Sequence, residues 1–506
     1  LDAWPGFETK IVYLYYFLHF CVLKQAKQTE INKTIFISLA ALAFAIACQP
    51  ERSYEEDPDA KLSFTADTVF FDTVFTTIGT ATKSFKIMNP HKQFIMIDQI
   101  SLAGGSSSVF RINVDGQPGT QFSNVQVAPR DSMYVFVEAT LDPNGADDIL
   151  RIQDSIVFMT NGNVQDVDLV AWGQDVHILR KEIISGDVTW TADKPYLIID
   201  KVIVDTDATL TIDAGVTVHM HRNAWLGVAG SLQINGTLED PVIFQGDRLE
   251  EFYKEIPGQW GYIYLSESSH GNRIDYAEIR NGTIGVLISA SPESGLQPDL
   301  ELTNCIINHM SSNGFYGLNA KVTGTNLVIG DCGGSCAGLI YGGDYDFTHC
   351  TFYNAWPSWY SNRRLPALYL SDYFATLDSV GDLLIYVGGE FERAGFKNSI
   401  IYGNALTELV IDSYNGSQLN YRFDHCLTRI NTDSLDYERD PLFSNIINNK
   451  NPLLDSIPAL YSLDTLSPAI DAGLSSYAIG VPFDFEGKNR LGDEAPDLGA
   501  FERIVN

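Results

Sequence analysis

Residues 196–244 contain YLIID (196–200), ATLTI (208–212), VTVHM (216–220), SLQI (231–234) and VIF (242–244), short apolar-x-apolar runs separated by Asp, Gly, Asn and Pro. Alternation over four or five residues, bounded by turn formers, specifies strands. Farther along, DYAEI, TNCII, TNLVI, THCTF, KNSII and DHCLT align on Ala277, Cys305, Leu327, Cys350, Ser399 and Cys426, at intervals of 28, 22, 23, 49 and 27 residues. With 49 counted as two turns, the repeat is 22 to 28 residues long and carries no helical segment. That pattern predicts a parallel β-helix over residues 177–430, each coil stacking its strands on the one before. A leucine-rich repeat has a similar period, but its L-x-x-L-x-L frame is absent.

The aligned small residues are expected to face a narrow lumen, where a free Cys behaves as a small hydrophobe. They fall one per coil rather than in paired C-x-x-C knuckles, which argues against metal ligation. Cys332 and Cys336, in DCGGSC (331–336), stand apart from this series. They read as two reduced turn cysteines, with a disulfide formed after export as the alternative. Asn281, Asn304, Asn308, Asn326, Asn354, Asn398 and Asn404 flank the strands and are expected to turn the chain and hydrogen-bond between coils.

Working outward, residues 62–176 have a different texture. Strand-like runs at 69–71, 84–88, 94–102, 133–139, 155–159 and 164–172 alternate with Gly104-Gly105, Asp142-Pro143-Asn144-Gly145 and Asn161-Gly162-Asn163. This spacing predicts two antiparallel sheets, and Asn161-Gly162 a tight hairpin, whose two central positions need positive φ. Residues 431–506 follow the repeats and are expected to cap the last coil, which would otherwise expose unpaired strand edges.

The first fifty residues carry an address. Thr34–Ala47 (TIFISLAALAFAIA) is apolar, preceded by Lys24, Lys27 and Lys33, and ends in small residues before Cys48. That order is a secretory signal, too short for a membrane span of about 20 residues. Residues 1–23 hold a second apolar run and no Met occurs before Met88, so 1–47 reads as an upstream extension plus a signal peptide. Residues 48–61, acidic and interrupted by Pro50 and Pro58, read as an extended tether.

Composition narrows the function classes. The 506 residues carry 33 Lys+Arg against 64 Asp+Glu, a net charge of −31 that repels nucleic-acid backbones. With 45% hydrophobic and 19% charged residues the chain is globular.

Several of these motifs carry a resemblance. Ala45-Ile46-Ala47-Cys48 resembles the bacterial lipobox, which implies a diacylglycerol on Cys48, and the acidic residues after it are similar to the signal that sends Bacteroidota lipoproteins to the outer face of the outer membrane. DTVFFDTVFTTIGTATKSFKIMNP (67–90), VDGQPG (114–119) and DSIVFMTNGNVQDVDLVAWGQD (154–175) look like the immunoglobulin-like domain at the N-terminus of such lipoproteins. AGVTVH (214–219), GTLEDPVIF (236–244) and PGQWGY (257–262) resemble the opening coils of their right-handed, pectate-lyase-like β-helices. DPLF (440–443), SPAIDAG (467–473), DFEGKNR (484–490) and PDLGAFE (496–502) resemble the terminal segment of the same proteins. The fold class expected is therefore all-β: an immunoglobulin-like sandwich, then a right-handed parallel β-helix with a C-terminal cap.

Chemistry is harder to place. The β-helix hosts lyases and hydrolases as well as non-catalytic proteins, so fold alone assigns no reaction. Asp299, Asp331, Asp344, Asp346 and Asp372 are candidate carboxylates; solvated turns are the favoured reading, with Ca²⁺ implied only if the protein is a polysaccharide lyase. The Gly-His-Gly element of hydrolases of this fold is absent. FYNAWPSWYSNRRLP (352–366), followed by Tyr369 and Tyr373, interrupts the coil spacing. Trp356, Trp359 and Tyr360 are candidates for stacking on sugars, and Arg363 and Arg364 for holding a carboxylate or sulfate, unless the loop buries its rings as a lid. Phe252, Tyr253, Trp260, Tyr262 and Tyr264 form a second aromatic cluster, for which a structural role is expected. The reading that results is a cell-surface lipoprotein, held in the outer-membrane lipid and presenting a β-helix face to a polysaccharide or an envelope protein, without cofactor or catalysis. A lyase or hydrolase acting on an acidic polysaccharide is the alternative.

Overall fold

The computed structural model describes residues 52–75, 82–140, 150–291, 293–416, 419–433, 435–455 and 461–504. Cys48 and the leader lie outside them. Among the described residues no helix is long and apolar enough to cross a membrane. The chain is almost entirely β and divides into two compact units.

The N-terminal region forms two five-stranded sheets. One contains Ser63–Phe64, Lys83–Met88, Phe110–Val114, Gln117–Gly119 and Ser132–Ala139; the other Thr68–Phe75, Ile95–Leu102, Gln121–Val127, Leu150–Thr160 and Asn163–Gln174. Alternate residues turn inward, so that Phe64 and Phe85 of the first sheet meet Phe158 of the second. Asn161 and Gly162 join two long strands with φ of 49° and 80°, as a two-residue hairpin of this type requires.

From His177 onward the strands, apart from one hairpin, are parallel and form one 23-stranded system. A coil has three faces, illustrated by Thr209–Asp213, Thr217–Met220 and Trp225–Val228. The next coil lays Ser231–Asn235, Val242–Gly246 and Ile263–Leu265 on them in register. Inward residues such as Leu210, Val218, Leu226, Ile234 and Phe244 are fully buried in one continuous core. Cys305, Cys350 and Cys426 join that core; burial pushes each thiol up to about 12, and each donates to a backbone carbonyl.

One interval is corrected. The 49 residues from Cys350 to Ser399 make a single coil, not two: Thr351–Asn354 pairs directly with residues 400–403, and the Cys350 N–H donates to Ser399 Oγ at 3.1 Å. The excess length is held by two insertions, the aromatic loop at 355–367 and a two-stranded antiparallel hairpin, Tyr373–Leu377 with Leu383–Val387. A period count cannot distinguish an added coil from an insertion of equal length.

The corner between the first and second faces is a column of left-handed residues: Tyr276, Asn304, Asn326, His349, Asn398 and His425 have φ between 45° and 56°. Asn tolerates this conformation best among residues with a side chain. Asn326 Nδ2 donates to Asn304 Oδ1 at 2.9 Å, and Asn304 Nδ2 to Asp275 Oδ1 at 3.1 Å, a partial ladder between coils.

Outward positions of the second face are mostly apolar: Ile306, Val328, Ile400 and Leu427 stack in register with Thr351, whose hydroxyl accepts from the Ala500 N–H. Of the end cap expected over 431–506, Phe443–Asn448 pairs onto the strand Tyr421–Thr428 with Phe443 stacked on Phe423, but residues 461–504 lie along this flank instead. Leu463, Ala469 and Leu498 cover Ile400 and Leu427, while Ala500 and Phe501 cover Ile306 and Val328. Arg490 and Glu502, both with fully buried side chains, pair at 3.2 Å, and Arg490 Nη2 donates to Asn326 Oδ1 of the corner column at 2.9 Å. Leu474 N–H donates to Asn398 Oδ1, and Gly499 N–H to the Asn398 carbonyl. Burial raises the carboxyls of Asp497, to about 6, and Glu502, to about 8, where the neighbouring Asp497 charge adds to the effect.

Candidate functional site

The aromatic loop 355–367 connects a second-face strand to the third-face strand Leu368–Ser371. Its root is a clamp. Arg363, whose side chain is 3% exposed, places Nη1 and Nη2 at 2.8 and 2.5 Å from the two carboxylate oxygens of the fully buried Glu408. The same guanidinium donates to the carbonyls of Asn354 and Leu365 and to Asn404 Oδ1. Glu408 in turn accepts from the N–H groups of Ala367 and Ala405. A guanidinium engaged in this way has no fork to offer a ligand, so Arg363 is a structural residue and not an anion holder.

The loop's rings divide as well. Trp356 is 4% exposed and donates its indole N–H to the Ser361 carbonyl at 3.2 Å; it is the lid. Trp359 is 81% exposed. Between them Tyr360 contacts both rings, at 5.3 and 6.2 Å, and donates its hydroxyl to the Glu255 carbonyl at 3.1 Å. Arg364 is exposed and has no partner among the described residues. Trp359 and Arg364 are therefore the sequence candidates that a ligand can reach.

The bond from Tyr360 to Glu255 brings the second aromatic cluster alongside the first. Phe252 is 73% exposed in the 247–262 loop, beside Tyr253, whose ring lies 4.1 Å under the Arg248 guanidinium. Trp260 is buried and donates its N–H to the Arg280 carbonyl, a structural role. Tyr262 and Tyr264 lie on the third face. Sequence reasoning missed His309, whose Nε2 is 3.2 Å from Glu255 Oε2 beneath the same rim. A single His in NHM (308–310) carries no spacing that would mark it.

The candidate carboxylates do not converge. Asp344 and Asp346 share the first face, where Arg393 bridges them at 2.8 Å to each and Lys397 Nζ sits 2.7 Å from Asp346. Asp299 accepts from the Gly271 N–H, Asp331 from the Tyr461 hydroxyl and Asp372 from the Tyr414 N–H, each engaged by a different partner. Among the described residues no three His, Cys, Asp or Glu side chains gather into a cation-binding set. Cys332 and Cys336 are free, buried thiols rather than a disulfide, and burial beside Cys332 raises the Cys336 thiol well above its ordinary value.

The class of fold is thus a parallel β-helix. Residues 182–290 match the family described as the pectate-lyase-like β-helix domain. No curated protein matches the chain. Among solved structures, a family 123 glycoside hydrolase from Clostridium perfringens is similar at 7% identity and TM-score 0.17, over 25% of this chain and 30% of that one. A Porphyromonas gingivalis protein of unknown function has 7% identity and TM-score 0.17, over 26% of this chain and 60% of that one. The catalytic unit of a GH87 α-1,3-glucanase from Streptomyces thermodiastaticus has 9% identity and TM-score 0.22, over 72% and 89%. Likenesses this distant assign no activity.

Proposed function

We propose that the protein is a carbohydrate-binding surface lipoprotein without catalysis. In this reading Cys48 carries the lipid that holds it in the outer membrane, facing outward; of the stretch 48–61 expected as a tether, residues 53–60 dock on the first domain instead, where the Glu55 N–H donates to the Phe94 carbonyl and Asn161 Nδ2 to the Glu55 carbonyl. Residues 62–176 are an immunoglobulin-like spacer, 177–430 a right-handed β-helix, and 431–506 its closing segment. The observation that carries the binding role is Trp359: a large ring left 81% exposed on a loop whose base is locked by the Arg363–Glu408 pair. Holding an amphipathic ring in water on a braced support suits stacking against the C–H face of a sugar, with Arg364 donating to a hydroxyl or carboxylate.

The test is a screen of the purified protein against neutral and acidic polysaccharides, scoring retention and new chain ends separately. Retention that is lost in Trp359→Ala, with no new ends, is the expected result; no retention of any glycan overturns the reading. The enzymatic alternative rests on the Asp344–Arg393–Asp346–Lys397 cluster, where cationic groups lie beside paired carboxylates. New chain ends that disappear in Arg393→Ala would select it. Lipidation is checked by labelling with a fatty-acid analogue, which Cys48→Ala should abolish.

A further inference from the structure

The third face carries a pattern of its own, apart from the aromatic loop. Its outward ladder reads, coil by coil, Tyr264, Leu287, Tyr316, Gly338, Tyr369 and Val410, all in register. Tyr therefore returns on every second coil, and strands stacked about 4.8 Å apart put successive hydroxyphenyl rings roughly 9 to 10 Å apart along the solenoid axis. Two glycines set the tilt of rings here. A Cβ on Gly338 would meet Tyr316 Cδ2 at 3.2 Å, and one on Gly227 would meet Trp225 Cζ3 at 2.4 Å. Both rings lean over bare backbone that any larger residue at these glycines would take from them. Tyr369 is fixed at the far end by its hydroxyl, which donates to Asp412 Oδ2 at 2.7 Å.

Charge sets the ligand class. From Gly227 to Tyr369 the outward ladder positions hold no charged residue, in contrast to the first face, where Arg273, Glu301, Asp346 and Arg422 point outward. The whole chain carries −31, which disfavours a polyanion. We propose that an extended, neutral polysaccharide lies along the solenoid axis on this face, its two-sugar repeat matched to the two-coil spacing of Tyr264, Tyr316 and Tyr369. β-1,4-linked chains have this geometry, because alternate rings flip and the same face returns every second sugar. The Trp359 rim loop leads straight into Leu368–Ser371 and would border the chain. This inference rests on the carbohydrate-binding reading and adds its track, linkage and charge.

Neutral β-1,4-linked oligosaccharides of two to eight sugars, titrated calorimetrically into the purified protein, test it. Affinity should climb with length to about six sugars, the reach of three rings. Tyr316→Ala should weaken the hexasaccharide by about three- to tenfold, the range of one stacking contact, with the disaccharide scarcely affected. Gly338→Val keeps Tyr316 but lifts its ring, and should give a similar loss; Tyr316→Phe should bind as the parent does, which guards against a folding artefact. Glycan binding that depends on Trp359 but is untouched by Tyr316→Ala and Gly338→Val would overturn the axial track and leave the carbohydrate reading intact. Binding of polyanions alone would overturn the neutral ligand. If no glycan binds the parent, both readings fall.

Discussion

The second and third faces of the solenoid share one architecture and meet opposite fates. Both turn apolar side chains outward. On the second, aliphatic Ile306, Val328, Ile400 and Leu427 stand beside the stacked Tyr353 and Tyr402, and the chain covers them with its own residues 461–504. On the third, Tyr264, Tyr316 and Tyr369 alternate with Leu287, Gly338 and Val410, and the rings are left half-buried without a cover from residues 461–504. Aliphatic surface gains only by burial, so it calls for a permanent cover. An aromatic ring has a polarised face and remains useful when wet, which is why an open aromatic stripe suits a removable ligand. The same division is repeated within one loop, where Trp356 is the lid and Trp359 the open ring.

The largest effect is expected at Arg490. Arg490→Ala leaves Glu502 without its partner inside the flank contact, and losing one member of a buried pair costs about 3–5 kcal/mol. Denaturant unfolding and binding of an apolar dye should report both the loss and the newly uncovered second face; a cost below about 1 kcal/mol would mean that the cover does not depend on this contact. Trp356→Ala should cost a comparable amount, about 3–5 kcal/mol, as large-to-small changes of buried aromatics do.

A smaller effect should appear with pH. The carboxyls of Glu502 and Asp497 sit above their ordinary values in the fold, at about 8 and about 6, because they are buried. A raised folded value means stability that is complete below the unfolded value and lost as pH rises through the folded one. The melting temperature should therefore fall from about pH 5 to about pH 9 through these two groups, and Glu502→Gln should flatten the upper part of that slope. A parallel slope in the Gln variant would assign the pH dependence elsewhere. The smallest change belongs to the open side: Trp359→Ala should alter stability by no more than about 0.5 kcal/mol, since its ring packs little. A large fall in melting temperature would make Trp359 a part of the lid after all.

Period and polarity along the chain determined the strands, the parallel stacking, the lumenal cysteines and the Asn161-Gly162 turn, because each depends on residues within about one coil of each other. The inward side of a repeat is constrained by its neighbours alone, so Ala277, Cys305 and Cys426 could be read from spacing. What lies outside the coil is decided by distant segments. Arg363 and Arg364 are adjacent in sequence, yet only Glu408, 45 residues beyond Arg363, makes one structural and leaves the other free. The terminal motifs were legible as motifs, but not the side they would cover; Arg490 reaches Asn326 across 164 residues. The 49-residue interval fitted two coils by length, and only the pairing of Thr351–Asn354 with residues 400–403 reduced it to one coil with insertions. Local alternation sets which way a side chain points, while the partner that covers it, or leaves it open, is chosen only when the chain folds back on itself.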